Sequence, residues 1–167
     1  MNQPDVLLIY EYNYWATHQI LEAGALVSPD QFVVPTSHSF GSLRGTLVHT
    51  LDSERAWRML LQHNTLDYFH AMQEEHFPDF QTLNQRWTSE ELSMRDYIGS
   101  LSDNDLTGIV RYTTSEGEKR ERVLWHCLLH IVNHGTQHRS EAAAILTDYG
   151  QSPGGLDFTA FLNQWNR

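Results

Sequence analysis

The stretch that decides the fold is Arg122-Val-Leu-Trp-His-Cys-Leu-Leu-His-Ile-Val-Asn-His-Gly-Thr-Gln-His-Arg-Ser-Glu-Ala-Ala-Ala-Ile-Leu-Thr-Asp-Tyr149. Leu124, Leu128, Ile131, Gly135, Ala142, Ile145 and Tyr149 fall on one face at helical spacing, which predicts a long amphipathic helix from about Arg122 to Tyr149. Gly150 is placed to terminate it.

The same helix carries His126, His130, His134 and His138, each four residues from the next. At roughly 100° per residue, successive rungs are rotated by about 40°, so only adjacent ones can share an ion. His138 lies inside the apolar stripe. On the same count His134 sits about 70° from the stripe's centre, His130 about 110° and His126 about 150°. The inward pair is therefore His134 with His138, separated by about 6 Å of rise and able to converge as His-x-x-x-His metal sites do. Such pairs also arise by chance in a chain with ten histidines. A tight site needs a third protein ligand from elsewhere. His49 is the candidate, because Gly45, Thr46, Ser53 and Ala56 around it on a helix are small and leave room for an ion and a substrate. His18, His38, His63, His70 and His76 share no helical face and read as surface residues.

Outward from the long helix, Pro4 to Leu26 has a first-turn proline and places Leu7, Tyr10, Tyr14, His18, Leu21 and Ala25 at helical spacing. Ser28-Pro29 interrupts it, and the aperiodic stretch Val34-Pro-Thr-Ser-His-Ser-Phe-Gly41 reads as a loop. Ser42 can cap a second helix to about Leu61, with Leu43, Leu47, Leu51 and Trp57 on its core side. Gln62 to Arg86 shows no clear period. Thr88-Ser-Glu-Glu91 has the form of a capping box, which predicts a third helix through Leu92, Tyr97 and Leu101. Between Leu106 and Val123, β-branched residues and a glycine turn predict a short hairpin. Leu156 to Trp165 can form a closing helix. Four main helices with polar connections predict an all-α bundle.

At 167 residues the chain fits one domain. Twenty-one acidic residues against 11 Lys and Arg give a net charge of −10, a field that repels phosphate backbones and argues against nucleic-acid binding. The single cysteine, Cys127, excludes an intramolecular disulfide and suits a reducing compartment. No apolar run is long enough to span a membrane and no basic leader precedes an apolar one, so the expected location is cytoplasmic.

Three motifs carry a family resemblance. Tyr12-Asn-Tyr-Trp-Ala16, Ser39-Phe-Gly-Ser-Leu-Arg-Gly-Thr-Leu-Val-His49 and Leu129-His-Ile-Val-Asn-His-Gly-Thr-Gln-His-Arg139 resemble signatures of the DinB-like (damage-inducible) family of bacterial metal-binding four-helix bundles, the last being the most specific. The resemblance covers nearly the whole chain. It implies an up-down-down-up bundle, frequent homodimers, and metal ligation at His49, His134 and His138, the pair and partner that spacing also selects. It gives His130 a supporting role. The family usually has Gly-Gln after His-Arg, whereas Ser140 and Glu141 stand here. Glu141 can orient a ligand imidazole, add a ligand, or face solvent.

Three imidazoles leave a divalent ion with open positions, and they suit zinc or nickel first, with iron or manganese as further candidates. Thiol-dependent transferases in the family point to a metal-dependent transferase in which a low-molecular-weight thiol attacks a small-molecule electrophile. Cys127 is no rival nucleophile, since it lies about 70° from the stripe centre with no activator. Metal-assisted hydrolysis, with Glu141 or Asp52 as general base, is the enzymatic variant. A non-catalytic metal-binding or stress-response protein is the other class.

Overall fold

The computed structural model describes residues 1–66, 69–114 and 117–165. These are mostly helical: α1 (Gln3–Gly24), α2 (Pro29–Val33), α3 (Leu43–His63), α4 (Phe80–Ser100), α5 (Asp103–Leu106), α6 (Leu124–Asp148) and α7 (Phe158–Trp165), with a hairpin of β1 (Ile109–Thr113) and β2 (Lys119–Val123) before α6. Among the described residues no helix is long and apolar enough to cross a membrane.

Local chemistry explains the helix ends. Asn2 caps α1 through a capping box with Asp5, and proline fits its first turn. The Ser42 side chain accepts from the Gly45 amide, the expected cap of α3. Gly150, at φ +76°, follows α6 in the left-handed conformation open to glycine. The hairpin pairs Ile109 with Val123 through Thr113 with Lys119, antiparallel, as the sequence predicts. Two residues of its connection, Ser115 and Glu116, lie outside the described residues.

Several boundaries differ from the sequence reading. α4 begins at Phe80, capped by the Asp79 carboxylate on the Thr82 amide, eight residues before the supposed capping box. Thr88 lies inside the helix and its hydroxyl bonds back to the Asn84 carbonyl. α6 starts at Leu124 rather than Arg122 because Arg122 and Val123 are committed to the hairpin. Of the six positions at helical spacing on α1, Tyr10, Tyr14 and Leu21 are buried, whereas Leu7 and Ala25 are exposed and His18 pairs with Glu91 at 2.7 Å.

The four long helices share an interior divided in two. One apolar cluster takes Val6, Tyr10 and Tyr14 from α1, Leu61 from α3, Met94 and Ile98 from α4, and Leu124 to Val132 from α6. The other takes Ile20 and Leu21, then Leu43 to Leu51, then Leu83 and Trp87, and finally Ala142 to Leu146. The order of these contacts shows that α1 and α6 run in one direction while α3 and α4 run in the other.

Between the clusters lies a polar layer at one level of all four helices. The Glu54 carboxylate accepts from the Tyr14 hydroxyl at 2.7 Å and from Asn13 Nδ2 at 3.3 Å, and Arg139 Nη1 donates to Asn13 Oδ1. Arg58 holds the buried Glu90 with two guanidinium nitrogens. Gly135 makes room for this layer: a Cβ there would stand 2.8 Å from Arg139 Nη1 and 3.2 Å from Asn13 Oδ1. Complementary groups at one level admit one register, because a slide by a turn would strand a buried charge.

Burial and the nearby Glu90 push the Glu54 carboxyl up to about 7, against the lowering effects of Tyr14 and Arg139. From pH 4.5 to about 7 the folded chain therefore holds a proton at Glu54 that the unfolded chain has released, and stability falls as pH rises across that window. Urea titrations of the wild type and Glu54→Gln are expected to show the difference between them moving in the variant's favour through this window and flattening above it.

Candidate metal centre

α3 and α6 run antiparallel and bring His49 against His134 and His138. One ligand atom from each lies within 4.8 Å of the others. His134 Nε2 and His138 Nε2 are 3.1 Å apart. Two nitrogens bound to one tetrahedral zinc at about 2.0 to 2.1 Å stand roughly 3.3 Å apart, so this pair is close to ligating separation. The burial order along α6 follows the angular count: His138 is buried, His134 half-buried, and His130 and His126 exposed.

Two of the three imidazoles are held by neighbours outside the trio. Glu141 Oε2 lies 2.9 Å from His138 Nδ1, and its other oxygen accepts from Ser39 Oγ at 3.2 Å. With a proton on Nδ1 for Glu141, the lone pair of His138 Nε2 faces the other two imidazoles. Glu141 thus meets His138 through Nδ1 and is not among the three converging ligands. The hydrogen bond from His138 holds its carboxyl below the usual range. The Phe40 ring stacks on His49 with centroids 3.8 Å apart and planes 13° from parallel, and Ser53 Oγ lies 3.5 Å from His49 Nε2.

Burial, then the neighbouring His138 and His49, lower the His134 imidazole to about 4, and burial followed by His138 lowers His49 as well. Near neutral pH both rings are uncharged and offer lone pairs. The donor set is therefore three converging ring nitrogens, with His134 and His49 in the neutral form that divalent transition metals require.

Asp52 sits one turn beyond His49 on α3. Its Oδ1 accepts from the Met72 amide at 3.1 Å and from Arg55 at 3.4 Å, so it ties the segment before α4 to α3. Burial raises its carboxyl. Cys127 is buried and burial also raises its thiol, as expected of a residue without an activator.

Phe40 escaped the sequence reading because it lies in an aperiodic loop. Glu54 and Arg139 carried a usable signal, since each sits among apolar neighbours at helical spacing, Glu54 following Leu47 and Leu51.

A mostly helical protein with three converging imidazoles defines a class with a site compatible with a divalent metal. The DinB family model matches residues 1–167, and the chain belongs to that family. It is also 25% identical over 174 aligned residues to Protein DinB of Bacillus subtilis (strain 168), covering 92% of this chain and 91% of that protein.

Gly45 controls the position of Phe40, because a Cβ there would stand 2.1 Å from the Phe40 carbonyl oxygen. Gly45→Ala is expected to cost about 1–3 kcal/mol in stability. The Phe40 ring should also move off His49, which the chemical shifts of the His49 ring protons report.

Proposed function

We propose that His49, His134 and His138 hold one divalent transition metal, zinc or nickel before iron or manganese, and that the protein is a thiol transferase acting on a small electrophile. The carrying observation is the close approach of three ring nitrogens from two helices, with His138 already oriented by Glu141. A divalent ion held there supplies Lewis acidity, which lowers the pKa of a bound thiol and so makes it nucleophilic at neutral pH. The chain's own residues do the rest. Glu141 fixes the His138 tautomer, Phe40 holds the plane of His49, and the small Gly45 lets the Phe40 backbone pass close enough to place that ring.

Transfer is favoured over hydrolysis because both oxygens of Glu141 are engaged, by His138 and Ser39, and Asp52 binds Met72 and Arg55. Glu141 therefore has no free oxygen, and Asp52 is committed through Oδ1 to holding the segment before α4. The whole chain forms one domain in this reading, an up-down-down-up four-helix bundle, supported by the shared directions of α1 with α6 and α3 with α4. The buried, unpaired Cys127 accords with a reducing cytoplasm, and family resemblance points to a homodimer.

Elemental analysis of protein purified without a metal-affinity tag should find about one transition metal per chain, and His134→Ala should lose it. Retention of the metal by that variant would contradict the ligand set. Glu141→Ala is expected to keep the fold and weaken metal affinity roughly 10- to 100-fold. A panel of thiols with electrophiles should then show turnover by the metal-loaded protein; none at all would leave a non-catalytic metal-binding protein.

A further inference from the structure

The three-histidine site leaves the lower rungs of the histidine ladder unused. His126, Cys127 and His130 of α6, Trp57 of α3, and Tyr112 and Arg122 of the hairpin line a cavity of about 430 Å³, a volume within the range of small-molecule sites.

Its walls are aromatic and set at steep angles. Trp57 lies 5.5 Å from Tyr112 with planes at 76°, and 5.2 Å from His130 with planes at 66°. Such a corner accepts a flat, unsaturated body through stacked and edge contacts.

The charge of the cavity differs from that of the chain. Among the described residues no carboxylate lines it, although acids outnumber Lys and Arg by 21 to 11 overall. Arg44, Arg55, Arg58, Arg95, Arg111 and Arg120 all pair with carboxylates. Among the described residues Arg122, like Arg86 and the buried Arg139, has no such partner; it lines the cavity and donates to the Glu121 backbone carbonyl at 2.8 Å. A single guanidinium presents a planar fork matched to the two oxygens of one carboxylate. A phosphate dianion would call for more cation than this in a chain of net charge −10.

His130 joins the cavity to the histidine site, since its ring centroid is 5.9 Å from that of His134. Two helical turns, about 12 Å, separate His126 from His134, so an acid with a ring and a short chain can reach from the cation toward the ligand imidazoles.

We infer that this cavity is the subsite for the electrophile and that it takes an aromatic monocarboxylate, its carboxylate on Arg122 and its ring against Trp57, Tyr112 and His130. The catalytic meaning of the subsite rests on the metal-dependent reading above, whereas the binding itself does not need the metal.

The test uses trans-cinnamate and its neutral counterpart, cinnamyl alcohol, titrated calorimetrically into the wild type, Arg122→Gln and His134→Ala, with metal content measured on the same samples. Arg122 is exposed, so its replacement leaves the core intact. Cinnamate should bind the wild type more tightly than the alcohol. Arg122→Gln should weaken cinnamate by roughly three- to fivefold, erase that preference, and keep the wild-type metal content. His134→Ala should lose the metal and still bind cinnamate. Absence of cinnamate binding, or binding unchanged by Arg122→Gln, would overturn the subsite. So would binding lost with His134 but kept without Arg122, because the acid would then sit on the metal. A wild type that lacks metal yet shows the Arg122-dependent preference would support the subsite and sink the metal reading, which keeps the two failures apart.

Discussion

The charged layer between the two apolar clusters is the constraint on which the rest of the molecule depends. Glu54 from α3 and Arg139 from α6 both meet Asn13 of α1, and Arg58 of α3 holds Glu90 of α4. All four long helices are therefore tied at one height by groups that cannot be left unpaired in a dry interior without a penalty of several kcal/mol. Replacing buried ion pairs by well-packed apolar residues is often neutral or stabilising, so net stability is not what such a layer contributes. The charged layer fixes register, and the register matters because the histidine site is attached to it: Arg139 follows His138 directly, and Glu54 lies five residues beyond His49.

The site inherits that rigidity and adds its own supports. α6 offers His134 and His138 in a fixed relation one turn apart, and α3 brings His49 from the opposite direction. The carboxylate at 141, where the family usually has glutamine, gives the His138 ring a charged acceptor instead of a neutral one. A charged acceptor binds the ring N–H more strongly and makes its other nitrogen a better donor. The departure from the family pattern thus strengthens the orientation of a candidate ligand without adding a fourth one.

The sequence disclosed elements whose chemistry is local and withheld those decided by packing. The α6 stripe is long enough for periodicity to count, and the angular distances from it separate the buried His138, the half-buried His134 and the exposed His130 and His126. Ser42 and Gly150 work because a cap and a left-handed turn each depend on one residue. The start of α4 was hidden because Phe77, Pro78 and Phe80 break the pattern. The Thr88-x-x-Glu91 spacing imitated a cap, although Thr88 bonds to Asn84 one turn behind it. α2 and α5 are too short for a period to be seen. Phe40 could not be placed because its contact with His49 depends on a loop crossing close to Gly45. The lower histidines looked idle on a helix taken alone; only the return of the hairpin, with Tyr112 and Arg122, gives them a cavity to line.

X-ray absorption at the edge of the bound metal tests the central claim most directly. The account predicts three imidazole nitrogens per ion at about 2.0 to 2.1 Å, with the outer-shell scattering of intact rings and the remaining positions filled by oxygen or nitrogen. A sulfur neighbour at about 2.3 Å supplied by the protein, or fewer than three imidazoles per ion, would contradict it.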